Sequence, residues 1–146
     1  MSLAQQKAVQ TTRLYQTNDP YRIAELLNIQ VIDATLAGRL KELYFGDHII
    51  LRANLSHNEK RHFLAHALGH HFMHTGNYLF FQQHRYLQND KEEMQAEEFA
   101  AHLLVPDREL EPIADSPPAE LASFFQVSEE LITLRLKLMS ATINSF

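Results

Sequence analysis

The sequence predicts a mainly helical α+β fold, in which a small three-stranded sheet lies against a histidine-rich helix. Two observations support this class: amphipathic helical patterns with capping residues cover much of the chain, and three short apolar runs precede the histidine-rich stretch. The 146 residues are enough to bury a core, and no linker or internal repeat divides them. We therefore expect residues 1–146 to form a single domain.

The first third of the chain predicts two helices followed by the strands. The first 27 residues have helical patterns in two pieces, and the second piece begins with Asn18 or Asp19 as the cap and Pro20 in the first turn. The run IQVID at 29–33 is β-branched and predicts a strand. Two further apolar runs flank Gly46-Asp47 within residues 43–52, which is typical of a hairpin.

The next stretch, SHNEKRHFLAHALGHHFMHTG, predicts a helix that could carry a metal site. Ser56 followed by Glu59 is a capping-box pattern, and Gly76 suits a C-terminal cap. On this helix His66 and His70 lie one turn apart, about 40° around the axis, so both imidazoles can reach one ion. This is the spacing of the zinc motif HExxH, but Ala67 stands where that motif has glutamate.

A second helix, predicted over residues 91–105, could supply the third ligand. The chain has no cysteine, so a third protein ligand must be another histidine or a carboxylate. Glu93 and Glu97 lie one turn apart at the start of this helix. One of them could bind the metal while the other holds the far ring nitrogen of a histidine.

The spacing of the histidines alone leaves alternatives open. Positions 62, 66, 70 and 74 form a continuous i, i+4 ladder, so spacing cannot choose among its three neighbouring pairs. A solvated histidine edge is the structural alternative, and we favour it for His57, His62 and His84. His71 lies about 140° around the helix from His66 and cannot easily join the same ligand set.

The C-terminal residues predict two further helices joined by a short turn. Ser116-Pro117-Pro118 opens the first helix, and Ser128 caps the second, in an arrangement that resembles a helix-turn-helix. Only Arg135 and Lys137 are basic on the last helix, and the net charge of the chain is −5. Because nucleic-acid binding needs clustered cations, we expect this pair to pack on the other helices and not to bind nucleic acid directly.

Three separate strings resemble signatures of the ImmA/IrrE family of metallo-endopeptidases. LAHALGHHFMH is similar to that family's LAHELGHxxxH helix, EMQAEEFAAHLLVP to its second signature, and ELASFFQVSEELITLRL to its usual ending. They occur in the family's order, and the resemblance covers about residues 20–138. It implies a zincin-like fold that binds Zn²⁺ through His66, His70 and Glu93. Glu97 and His74 would then contact these ligands and hold their orientation without binding the metal themselves.

The same resemblance implies that Ala67 occupies the position of the general base. That glutamate would take a proton from the attacking water, and a positioned base contributes about 10²–10⁴-fold to the rate. We therefore expect hydrolysis to be absent or very weak, whereas metal binding should survive. Glu92 and His71 are conceivable replacements, but nothing in the sequence supports either. Ala67 is either an engineered inactivation or a natural loss, and we favour the natural loss.

The resemblance also implies a biological role, although Ala67 leaves open whether the protein is an enzyme. The family cleaves helix-turn-helix repressors and so relieves repression. The alternative is a non-catalytic metal-binding module that binds a repressor or toxin partner. The N-terminus lacks the pattern of a secretion signal, and no apolar run approaches the roughly 18 residues that span a bilayer. We therefore expect a cytoplasmic protein with no membrane partner.

Overall fold

The structure is a computed structural model that describes residues 1–74 and 90–144, without the side chains of Asp90 and residues 142–144. Our expectations for Gly76 and His84 concern residues outside these ranges. The mainly helical α+β prediction is confirmed. None of the helices in the described ranges is long and apolar enough to cross a membrane.

The helices and strands follow the order predicted from the sequence. The described helices are α1 (Leu3–Tyr15), α2 (Pro20–Leu26), α3 (His57–Met73), α4 (Asp90–Leu104), α5 (Asp107–Leu110), α6 (Pro118–Phe125) and α7 (Glu129–Asn144). The strands are β1 (Gln30–Ala34), β2 (Glu42–Phe45) and β3 (His48–Arg52), and a 3₁₀ turn spans Glu111–Ile113. Asp19 caps α2 by accepting a hydrogen bond from the Tyr21 amide, with Pro20 in the first turn.

The sheet has the order β1-β3-β2, so that β2 forms one of its edges. β2 and β3 are antiparallel, whereas β1 runs parallel to β3. The predicted hairpin is confirmed. Its two-residue turn has Gly46 at φ +60°, a backbone conformation that residues other than glycine rarely adopt. On β2, Glu42 and Tyr44 are buried, and the residues after each are partly exposed. The inner face of this edge strand therefore carries one carboxylate and one phenol.

The histidine helix α3 lies at the centre of the fold, between the sheet and α4. Its predicted capping box is confirmed: the Glu59 amide donates to Ser56 Oγ at 3.2 Å, and the Ser56 amide donates to Glu59 Oε1 at 3.0 Å. Such a cap is worth about 1 kcal/mol. Every residue from Leu64 to His70 is buried, because neighbouring elements cover all sides of this segment. Side chains on α3 can therefore meet both β2 and α4.

Gly69 sets the distance between α3 and α4. A Cβ atom at this position would lie 3.1 Å from both the Cα and the carbonyl oxygen of Ala96, and 3.2 Å from Cβ of Phe99. The absence of a side chain therefore lets the two backbones approach closely. This approach brings the histidines of α3 within reach of the carboxylates of α4.

Replacement of Gly69 by valine is expected to reduce the free energy of unfolding by about 1–3 kcal/mol, because a branched side chain overpacks the contact between α3 and α4. Urea denaturation of the metal-free protein measures this change. Gly69→Ala should cost less, because alanine favours the helix by about 1 kcal/mol over glycine. A valine variant as stable as the unmodified protein would contradict the close packing of the two helices.

The C-terminal helices α6 and α7 pack on each other, and α7 also packs on α4. The predicted cap of the last helix is confirmed, since Ser128 Oγ accepts a hydrogen bond from the Leu131 amide at 3.1 Å. Arg135 is buried on α7: its Nε donates to the carbonyl of Val105 at 2.7 Å, and its guanidinium pairs with Asp107. This cation stabilises the contact between helices, so it is not presented at the surface.

Candidate metal centre

The two helices bring His66, His70 and Glu93 together. His66 Nε2 lies 3.0 Å from one carboxylate oxygen of Glu93, and His70 Nε2 lies 3.0 Å from the other. One potential ligand atom from each residue lies within 4.8 Å of those of the other two. The histidines are 8% and 3% exposed, so water competes little for their ring nitrogens. The structure thus joins three residues that the sequence separates into two helices.

The chemistry of this donor set fits a zinc ion. Zinc in proteins is bound by histidine nitrogens and carboxylate oxygens at about 2.0–2.2 Å, which puts donor atoms of a tetrahedral site roughly 3.3 Å apart. The distances of 3.0 Å from His66 Nε2 to Oε2 of Glu93 and from His70 Nε2 to Oε1 of Glu93 are close to that value. His66, His70 and Glu93 would hold the ion and leave its fourth position for water or substrate.

Glu97 contacts His66 from the side away from the three donors. Its Oε1 lies 3.2 Å from Nδ1 of His66, the ring nitrogen that faces away from Glu93. The same oxygen lies 2.7 Å from Nε2 of His62. Our expectation of a solvated His62 was wrong, because the α4 carboxylate draws this side chain into the cluster, whereas His57 is exposed as expected. Glu97 thereby fixes the ring orientation of His66, as carboxylates behind metal-binding histidines commonly do.

His74 contacts the other histidine of the pair. The Nδ1 atoms of His70 and His74 are 3.1 Å apart, and His74 Nε2 lies 3.0 Å from Oε1 of Gln95. Each of the two central histidines therefore has a second polar neighbour that holds its ring. Gln95, which the sequence analysis did not assign a role, anchors the outer end of this chain of contacts.

The charges of the cluster shift its pKa values strongly. Burial alone would lower the pKa of His66, but the hydrogen bonds that its ring donates to Glu93 and Glu97 and the charge of Glu42 outweigh burial and raise the pKa to about 10. Burial would raise the pKa of Glu97, but its bonds to His62 and His66 lower it to about 2. The pKa of His70 is lowered, chiefly by burial. In the metal-free protein at neutral pH, His66 is thus an imidazolium between carboxylates.

Zinc binding is expected to release about one proton at pH 7, because the ion needs the lone pair that protonated His66 lacks. The sign follows from competition: zinc affinity should rise by about tenfold per pH unit between pH 7 and 9, as the proton is lost more easily. Calorimetry in buffers of different ionisation enthalpy counts the released protons. Glu97→Gln, which removes one carboxylate that raises this pKa, should release fewer at pH 8. Binding without proton release would contradict the charged state of His66.

The face of α3 that carries Ala67 packs against β2, whose buried Glu42 was not predicted as a site residue. The Ala67 methyl group is fully buried. On the same side of α3, Nδ1 of His71 is hydrogen-bonded to the hydroxyl group of Tyr44 on β2. Glu42, also on β2, is 3% exposed and has its Oε1 atom 4.0 Å from Nε2 of His66. The only signal in the sequence is an acidic residue at an inward-facing position of a short strand.

Comparison with known proteins identifies the family of this chain. A family model described as the IrrE N-terminal-like domain of peptidases matches residues 24–137. The chain belongs to this family. The resemblance to ImmA/IrrE proteins is thus confirmed, and the cluster lies within the matched range. Peptidases with an IrrE N-terminal-like domain are metal-dependent, which agrees with a donor set of two histidines and a glutamate.

A curated relative of the IrrE-like chain comes from a bacteriophage. The protein is 33% identical over 132 residues to "Uncharacterized immunity region protein 2" of Bacillus phage phi105. The match covers 79% of this chain and 84% of the relative. The similarity therefore extends over most of both proteins.

Proposed function

We propose that this protein is a zinc-dependent endopeptidase that cuts a helix-turn-helix repressor, slowly, because position 67 offers no general base. The observation that carries this proposal is the buried group of His66, His70 and Glu93, whose ligand atoms lie within 4.8 Å of one another. Membership of the IrrE-like peptidase family supports the reaction class. The proposal places the protein in the cytoplasm, where repressors act.

The residues around the cluster have distinct tasks in such a reaction. A bound zinc ion would lower the pKa of water and polarise the scissile carbonyl group. His66, His70 and Glu93 hold the ion, and Glu97 keeps the ring of His66 turned toward it through the bond at 3.2 Å. The Ala67 methyl group can neither accept nor return a proton, so the rate lacks the contribution of a base at that position.

The substrate class follows from the family and from the phage relative. The relative's name refers to an immunity region, and the ImmA/IrrE resemblance implies repressor cleavage as the family role. A repressor encoded beside the gene for this protein is therefore the first substrate to test. The acidic net charge of −5 and the burial of Arg135 favour a protein partner over direct contact with nucleic acid.

The test mixes the purified, zinc-loaded protein with that repressor and follows the fragments by mass spectrometry over hours. We expect slow cleavage at one site, which stops with a chelator and is missing in His70→Ala. Ala67→Glu should accelerate cleavage at the same site. No cleavage by either zinc-loaded protein, with every candidate repressor, would overturn the proposal.

A second candidate function is favoured by Ala67 itself. A protein that has lost its base but keeps the metal cluster could bind a repressor or a toxin without cutting it. In that case the repressor would form a stable complex with the natural protein and would not be cleaved. Metal-dependent turnover that is lost in His70→Ala would exclude this function.

A further inference from the structure

Glu42 lies beside the proposed ligands without being one of them. Its Oε1 atom is 4.0 Å from His66 Nε2, the nitrogen that also faces Glu93. In the described part of the chain, the residues whose ligand atoms lie within 4.8 Å of one another are the two histidines and Glu93, without Glu42. A carboxylate in this position could contact a molecule that binds beside the three proposed ligands without being a ligand itself.

Two contacts fix the register of β2 against α3. Glu42 approaches His66, and two residues further along the strand Tyr44 bonds to His71. Ala67 lies one helical turn before His71 and thus on the same face of α3. Glu42 and Tyr44 likewise share the inner face of β2. The contacts of Glu42 with His66 and of Tyr44 with His71 therefore place the inner face of β2 against the part of α3 that contains Ala67.

We propose that Glu42 is the catalytic carboxylate of this protein and takes over, from β2, the proton transfer that the residue at position 67 cannot perform. This inference rests on the proposed peptidase function. The oxygen of the attacking water forms a bond to the carbonyl carbon while Glu42 accepts one of the water protons. The amide C–N bond then breaks, and Glu42 passes that proton to the leaving nitrogen.

Burial supports this assignment. Glu42 is among the most enclosed charged residues of the described chain, at 3% exposed, and it lies on the inner face of the strand. Its Oε1 atom lies 4.0 Å from Nε2 of His66, the nitrogen that would hold the metal.

Acetohydroxamate binding to the cobalt-loaded protein tests the position of Glu42 without any protein substrate. This small chelator places an ionisable N–O–H group where the attacking water would lie, so an adjacent carboxylate strengthens its binding through a charge-assisted hydrogen bond. Titrations followed by the visible absorption of Co²⁺ give the affinity. Glu42→Gln is expected to weaken binding by about 10-fold to 100-fold and to leave one Co²⁺ per chain.

Two variants complete the test. Ala67→Glu added to Glu42→Gln should restore tight acetohydroxamate binding, which would not happen if Glu42 only supported the fold. Glu25→Gln, at an exposed position on α2, is the matched control and should change nothing. Equal binding by Glu42→Gln and the unmodified protein would overturn the role of Glu42 and leave the proposed peptidase intact. Failure of the unmodified protein to bind Co²⁺ would overturn both.

Discussion

Repressor cleavage is expected to be about 10²–10⁴-fold faster in Ala67→Glu with Glu42→Gln than in Glu42→Gln alone, because only the first protein has a positioned base. This corresponds to about 3–5 kcal/mol of activation free energy. The comparison moves a single carboxylate from the strand to the helix and holds the ligands constant. Single-turnover rates with excess zinc-loaded protein measure it.

The controls separate charge from size. Ala67→Gln with Glu42→Gln carries a side chain at position 67 of about the same volume as glutamate but without a base. Its cleavage rate should therefore stay as low as that of Glu42→Gln. The natural protein, which has only the strand carboxylate, should lie between the two extremes. If glutamate and glutamine at position 67 gave the same rate, a general base at that position would play no part in the reaction.

Removal of one proposed ligand should have an effect of similar size on metal binding. His70→Ala is expected to weaken zinc binding by roughly 10²–10³-fold. This estimate divides the binding free energy that is typical of zinc sites in proteins evenly among the ligands. The unmodified protein should contain close to one zinc ion per chain after dialysis, whereas His70→Ala should contain little or none. Elemental analysis of protein purified without chelator gives the first measure, and competition with a chromophoric chelator gives the affinity.

The histidine ladder provides matched controls on the same helix. His74→Ala removes a residue that contacts the donor His70 without being a proposed ligand itself, so a loss of about 10-fold to 100-fold in zinc affinity is expected. His57→Ala, at the exposed start of α3, should have no effect. Equal losses at positions 57, 70 and 74 would mean that zinc binds the histidine-rich surface without a defined site.

The helices and the hairpin were predictable because their signals are local. The caps at Asp19, Ser56 and Ser128 lie next to the segments that they start, and Gly46 lies at the turn that needs it. The pairing of Glu93 with the two histidines was implied by the resemblance to a family. Periodicity could show that Glu93 and Glu97 share a helix face, but not which helix that face meets.

Features that depend on contacts between distant segments were beyond the sequence. The approach of Glu42 to His66 spans 24 positions and depends on how β2 lies against α3. The same holds for His62, whose partner Glu97 belongs to another helix. The parallel pairing of β1 with β3 was likewise not indicated, since strand patterns give no direction. In each case the partner is chosen by packing and not by sequence neighbours.

The bridge that Glu93 forms between the two histidines has a consequence for the metal-free state. One carboxylate holds both Nε2 atoms at 3.0 Å, so the donors are already gathered before an ion arrives. Little side-chain entropy remains to be lost on metal uptake, and the proton on His66 takes the place of the ion's positive charge. In the proposed function, an unloaded protein would therefore keep the shape that the repressor meets. Zinc supply would then control cutting separately from recognition.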